Sequence, residues 1–123
     1  MKTTAILGAS PKKDRYANMA QANLIEKGYN VIPINPGYEE IDGLKTVKTL
    51  GDLLSPIDTV TLYVSARHQT GLREELLKLR PRRVIFNPGT ENPELKSLLE
   101  HDGVICLNAC TLVLLRTGQY DKT

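Results

Sequence analysis

Four short stretches of this chain place small, cationic and hydrogen-bonding side chains where a phosphorylated ligand could use them. The first is Gly8-Ala9-Ser10-Pro11-Lys12-Lys13-Asp14-Arg15. Small residues let backbone N–H groups approach a phosphate, and a helix that begins behind such a turn presents a partly positive end to it. Lys12, Lys13 and Arg15 would add the charge to neutralise a polyphosphate. The stretch contains neither GxGxxG nor GxxxxGK[ST], so taken alone it reads equally well as a tight strand-to-helix turn. The second stretch, Asn35-Pro36-Gly37, is first of all a turn. A site for NAD would put Asp or Glu at this point to hold the ribose hydroxyls, whereas here Glu39 and Glu40 follow several residues later, which argues against ordinary NAD use. The third, Val64-Ser65-Ala66-Arg67-His68, offers two small residues and a guanidinium fork that matches phosphate geometry. His68 has the ring for acid–base work near neutrality, but no carboxylate stands near it in sequence to orient it. In the fourth, Asn87-Pro88-Gly89-Thr90-Glu91-Asn92, Asn87 and Gly89 are candidate polar contacts, and Thr90 reads as the N-cap of the next helix.

The two cysteines, Cys106 and Cys110, are spaced CxxxC without the second pair a zinc site needs, and His68 and His101 are isolated. No metal site is expected. Cys106 sits in an apolar stretch and reads as core. Cys110 falls near the expected ligand mouth. With no nucleophile elbow in the chain, no catalytic residue is assigned; an enzymatic reading would use Cys110 or His68 in group-transfer or thioester chemistry.

The elements that position these loops alternate strand and helix. Strands are expected at 3–8, 29–34, 58–64, 83–86 and 104–107. Helices are expected at 16–27, stopped by Gly28; at 49–54, a short one; at 70–79, with Leu72, Leu76 and Leu79 on one face and Pro81 beyond; at 93–101; and at 111–116. Five strands joined by helices imply a Rossmann-like α/β domain, a five-stranded mainly parallel sheet flanked by helices. Continuous apolar strands fit a sheet covered on both faces. Such sheets bind ligands beyond the carboxyl ends of their strands, so all four stretches fall on one edge. Arg82 and Arg83 precede the fourth strand and are expected as ordinary charges at the opposite edge.

The bulk properties set bounds. A chain of 123 residues, 41% hydrophobic and 24% charged, can bury a core as one domain without disulfides. Its net charge of +2 is too balanced for general nucleic-acid binding. No apolar run approaches the roughly 18 residues of a membrane helix, and no signal peptide is read at the start, so a reducing cytoplasm is the expected location. The sequence names no protein partner and is compatible with a homo-oligomer.

Three segments carry a resemblance: the opening strand into Gly8-Ala9-Ser10 with Asp14-Arg15-Tyr16 downstream; Gly28-Tyr29-Asn30-Val31-Ile32-Pro33-Ile34-Asn35-Pro36; and Ile57-Asp58-Thr59-Val60. With these the whole chain resembles the small stand-alone CoA-binding proteins. It is similar to the amino-terminal CoA-binding domain of the succinyl-CoA synthetase alpha subunit. The resemblance implies coenzyme A, or an acyl-CoA, lying across the carboxyl edge of the sheet. It implies that Gly8, Ala9, Ser10 and Arg15 face its phosphates, that Asn35 and Pro36 lie beside its adenine end, and that Val64, Ser65 and Arg67 form a third contact. Pro11, Lys13, Asn87 and Gly89 complete the expected binding set. The synthetase chemistry needs a phosphorylated histidine in a second domain that this stretch of sequence does not contain. The expected function is therefore non-catalytic binding or regulation, with a small CoA-dependent transferase, or an interaction protein without ligand, as the alternatives.

Overall fold

The computed structural model describes residues 2–54 and 56–123. Strand β1 (Thr3–Leu7) leads into helix α1 (Tyr16–Glu26) and strand β2 (Asn30–Ile34). A small hairpin follows, β3 (Glu40–Ile41) and β4 (Leu44–Lys45). Then come β5 (Thr59–Leu62), α2 (Leu72–Leu79), β6 (Arg83–Phe86), α3 (Pro93–His101), β7 (Ile105–Asn108) and α4 (Thr111–Arg116). The main sheet runs β2-β1-β5-β6-β7, and all its pairings are parallel.

Every residue of β5 and β6 is buried, as the centre of a sheet covered on both faces requires. Alternate side chains go to opposite cores. Val60, Leu62, Val84 and Phe86 pack with Leu72 and Leu76 of α2 and Leu95 and Leu99 of α3. Ile6 and Ile85 pack on the other face with Ala17 and Leu24 of α1 and Leu115 of α4. The chain leaves β1 toward β2 and afterwards returns past β1 to β5, so the order reverses at β1. The crevice at the carboxyl ends of β1 and β5 is where such sheets bind ligands.

The close of α1 is built as expected. The N–H of Tyr29 bonds to the Leu24 carbonyl and that of Gly28 to the Ile25 carbonyl, both at 3.0 Å, the two bonds of a Schellman ending.

Other expectations are corrected. The stretch expected as a helix at 49–54 is one 3-10 turn, Leu50–Asp52. A second 3-10 turn, Ala66–His68, follows β5. The β3–β4 hairpin was not expected; it turns on Asp42 (φ 48°) and Gly43 (φ 84°), the two left-handed residues of a tight hairpin. Asn92, not Thr90, caps α3: its Oδ1 accepts from the Leu95 N–H at 3.1 Å, and Pro93 sits at the first helical position.

Arg83 is the largest correction. It is 1% exposed, not a surface charge. Its Nε donates to Thr59 Oγ1 at 3.0 Å, its Nη1 donates to the Tyr120 carbonyl and to Thr123 Oγ1, and its guanidinium carbon lies 4.4 Å from the centre of the Tyr120 ring. Arg82 beside it stays partly exposed and pairs with Asp58 at 2.8 Å.

Candidate functional site

The turn after β1 is fixed before any ligand arrives. Gly8 has φ +87°, and a Cβ there would lie 3.0 Å from Val64 Cγ1 and 3.1 Å from the Tyr63 carbonyl. Only glycine meets both conditions without strain. The N–H groups of Gly8 and Ala9 both donate to the Ile34 carbonyl, at 3.1 and 3.3 Å, and so tie the loop to the end of β2. Asn35 adds a second tie: its Nδ2 donates to the Ala9 carbonyl at 2.7 Å, and its Oδ1 accepts from the Gly37 N–H at 2.7 Å. From α1, Asn18 Nδ2 donates to the Ser10 carbonyl at 2.9 Å.

These bonds leave other donors free. Among the described residues the N–H groups of Ser10, Tyr16 and Ala17 have no hydrogen-bond partner. They border a cleft of about 310 Å³ lined also by Gly8, Ala9, Lys12, Arg15, Asn35, Tyr38 and Tyr63. Arg15 is the N-cap residue of α1, yet no side chain caps that end and its first turn carries no acid. The positive end of an 11-residue helix therefore opens into the cleft unneutralised. Lys12 and Arg15 pair with no carboxylate among the described residues.

Tyr63 supplies a polar point in the floor. Its hydroxyl is buried and makes no hydrogen bond of good geometry, although the Thr61 and Thr111 hydroxyls lie beside it. Burial pushes its pKa up to about 12 despite those hydroxyls, so it stays protonated and keeps a hydrogen to donate.

Five of the expected residues meet at this cleft: Gly8, Ala9, Ser10, Arg15 and Asn35. The others do not line it. Lys13 turns to the hairpin, where its Nζ meets Asp42 Oδ1 at 2.8 Å. Pro11 and Pro36 belong to the flanking turns, and Val64 backs Gly8 from behind. Asn87 is buried and fully engaged: its Nδ2 donates to Thr61 Oγ1 and the Leu62 carbonyl, and its Oδ1 accepts from the Thr111 N–H. It joins β5, β6 and α4 and does not face the cleft. The Gly89 N–H is held by Glu91 Oε1 at 2.8 Å. Arg67 is exposed on the 3-10 turn after β5, and Ser65 Oγ lies 3.0 Å from His68 Nδ1. Lys12, expected only as one of the loop's cations, also lines the cleft, and Tyr16, Ala17, Tyr38 and Tyr63, which were outside the expected set, complete the lining. Cys106 is buried and its thiol is pushed up to about 11 by that burial; Cys110 is half-buried at the start of α4. No group of three potential metal ligands occurs among the described residues, and none of their helices is long and apolar enough to cross a membrane.

Asp42 ties the hairpin to the loop after β1 and to α1. Lys13 and then Asn18 Nδ2, at 2.7 Å, hold its carboxyl below the ordinary carboxylate range. A depressed folded-state pKa stabilises the fold above the unfolded value and loses that effect as pH falls through the folded one. The drop in Tm between neutral and acidic solution is accordingly expected to be smaller in Asp42→Asn than in the parent. An equal drop in both proteins, measured by thermal melts across pH, would show that the tie contributes nothing.

Comparisons with known proteins identify the family. A family model described as a CoA binding domain matches residues 2–116. The chain belongs to the CoA-binding domain family. Among its relatives is the uncharacterised protein YneT of Bacillus subtilis, 29% identical over 113 residues, which are 91% of this chain and 84% of that one. A crystal structure of an uncharacterised protein superposes with a TM-score of 0.91 at 40% identity, covering 97% of this chain and 98% of the other. The ADP-forming acetate–CoA ligase of Methanocaldococcus jannaschii is 35% identical over 63 residues, half of this chain but 9% of the ligase. The resemblance to the CoA-binding part of succinyl-CoA-synthetase-like enzymes is therefore real, and so is the likeness to small proteins of about this length. CoA binding is the property that comes with this CoA-binding domain.

Proposed function

We propose that this CoA-binding domain holds coenzyme A or an acyl-CoA along the carboxyl edge of its sheet as a non-catalytic binding or regulatory module. The observation that carries the reading is the uncapped start of α1, opening into a cleft with Lys12 and Arg15 unpaired beside it. That arrangement suits a pyrophosphate, which wants aligned N–H groups and cations. Tyr38, 41% exposed and shared by the cleft and a hollow along the hairpin lined by Glu39, Glu40, Lys45 and Lys48, offers a ring face to the adenine. Asn35 stands where a nicotinamide dinucleotide site would carry an acid, and both ends of its amide are already engaged. Among the described residues His68 has Ser65 as its hydrogen-bond partner and no carboxylate, which favours binding over acid–base catalysis.

CoA is expected to raise the Tm while NAD at equal concentration does not, since a ligand of the folded state stabilises it by mass action. Arg15→Ala should weaken CoA binding roughly ten- to a hundredfold in titration calorimetry at fixed salt, the loss of a charge-assisted hydrogen bond. Arg67→Ala should weaken it less, because Arg67 does not line the cleft. Lys2→Ala, exposed at the start of β1 and thus at the opposite edge, should leave it unchanged. A Tm shift with NAD alone, or equal losses for Lys2 and Arg15, would refute the assignment.

A further inference from the structure

A second hollow, of about 580 Å³, runs down the outside of the molecule between α1 and α4. Tyr16, Met19, Cys110, Leu112 and Val113 form its sides, and Lys27 and Arg116 stand at its far end. Tyr16 also lines the nucleotide cleft, so the two hollows share that residue. Positions 16, 19, 23 and 27 make one stripe along α1 and its C-cap residue, about 16 Å long at 1.5 Å per residue. Of the seven large apolar side chains exposed among the described residues, three lie here: Tyr16, Met19 and Val113. Three exposed apolar side chains thus share one groove, and exposed apolar groups that adjoin mark a binding surface where single scattered ones do not.

We infer that this groove takes the acyl chain of a CoA thioester whose nucleotide half occupies the cleft. The inference rests on the CoA reading above and extends it to the acyl group. A cleft of about 310 Å³ holds only part of a molecule as large as CoA, so the rest must leave over its rim. Along that rim Cys110 marks the carboxyl end of β7, where the groove opens. The mouth of the groove adjoins polar, cationic surface and its sides are apolar, which is the order a polar tether followed by a hydrocarbon chain requires. The long stems of Lys27 and Arg116 extend the apolar walls while their charges stay in water.

Titration calorimetry with CoA and with octanoyl-CoA tests this on the parent chain, Met19→Gln and Val113→Asn. Both side chains are exposed, so neither change threatens the core. Octanoyl-CoA is expected to bind the parent about tenfold or more tighter than CoA, the effect of burying part of an eight-carbon chain. Both variants should bind CoA as the parent does and lose most of the octanoyl advantage. Equal affinities for the two ligands in the parent would overturn the proposal while leaving the CoA site standing. So would an octanoyl advantage that survives in both variants. If sedimentation instead finds a dimer that the variants dissociate, with the octanoyl advantage intact, the face belongs to a second copy and the proposal fails. No binding of CoA to the parent would remove the nucleotide reading itself, and this inference with it.

Discussion

Arg83→Ala is expected to lower the Tm by on the order of 10 °C, while Arg82→Ala, one residue away, moves it by only a few degrees. Arg83 is a cation buried at the start of β6 without a carboxylate among its hydrogen-bond partners; its charge is held by the Thr59 hydroxyl, the Tyr120 carbonyl, the Thr123 hydroxyl and the face of the Tyr120 ring. Truncation removes charge-assisted bonds and takes the guanidinium from the buried Thr59 hydroxyl and Tyr120 carbonyl. Bonds to a charged group contribute about 1.5–3 kcal/mol each, so a total of about 3 kcal/mol is a conservative loss. For a domain of this size each kcal/mol moves the Tm by roughly 4 °C. Arg82 shares a partly exposed pair with Asp58, and such pairs contribute about 1 kcal/mol or less. Arg83→Lys should recover little, because one ammonium cannot reach Thr59, Tyr120 and Thr123 together or stack on the ring. Thermal melts of the three variants decide the matter; equal shifts for Arg82→Ala and Arg83→Ala would mean that the buried network is not stabilising.

The same residue marks a limit of what the sequence discloses. The strands and helices were legible because their apolar periods are punctuated: Gly28 closes α1, Pro81 follows α2, and Asn-Pro-Gly ends both β2 and β6. An arginine at the head of a strand reads as solvated, and only the fold brings Tyr120, 37 residues on, around it. The β3–β4 hairpin escaped because strands of two residues show no alternation, although Asp42-Gly43 between Ile41 and Leu44 was a turn signal. Thr90 and Asn92 are both good capping types; Pro93 was the clue that favoured Asn92. In the site, the loop from Gly8 to Arg15 was legible because small residues, cations and a helix start coincide there. Asn87 read as a ligand contact because the same amide serves a ligand or a buried network equally well, and only the fold shows the network that engages it. Tyr16, Tyr38 and Tyr63 come from three separate elements, and no spacing in the chain announces that they border one cleft.

Gly8→Ala is expected to cost the fold about 2–4 kcal/mol and to weaken CoA binding at the same time. Two effects add. A non-glycine residue at φ +87° costs about 1–2 kcal/mol in backbone strain. The new methyl carbon would also sit 3.0 Å from Val64 Cγ1 and 3.1 Å from the Tyr63 backbone, and crowding of that kind costs about 1–3 kcal/mol. Relief has to come from moving β5 away from β1 at the crevice. That shift would displace Tyr63, which lines the cleft, and would lengthen the bonds from Gly8 and Ala9 to Ile34 that hold the loop. Gly89→Ala separates the two effects. Gly89 has φ +93°, but nothing lies within 4 Å of where its Cβ would be. It should lose only the backbone term, about 1–2 kcal/mol, and it should keep its affinity for CoA, since Gly89 does not line the cleft. Denaturant melts and calorimetry on the two variants give the comparison. A Gly8→Ala protein that binds CoA normally would show that the approach of β1 to β5 does not shape the site; an affinity loss in Gly89→Ala would extend the site to the loop after β6.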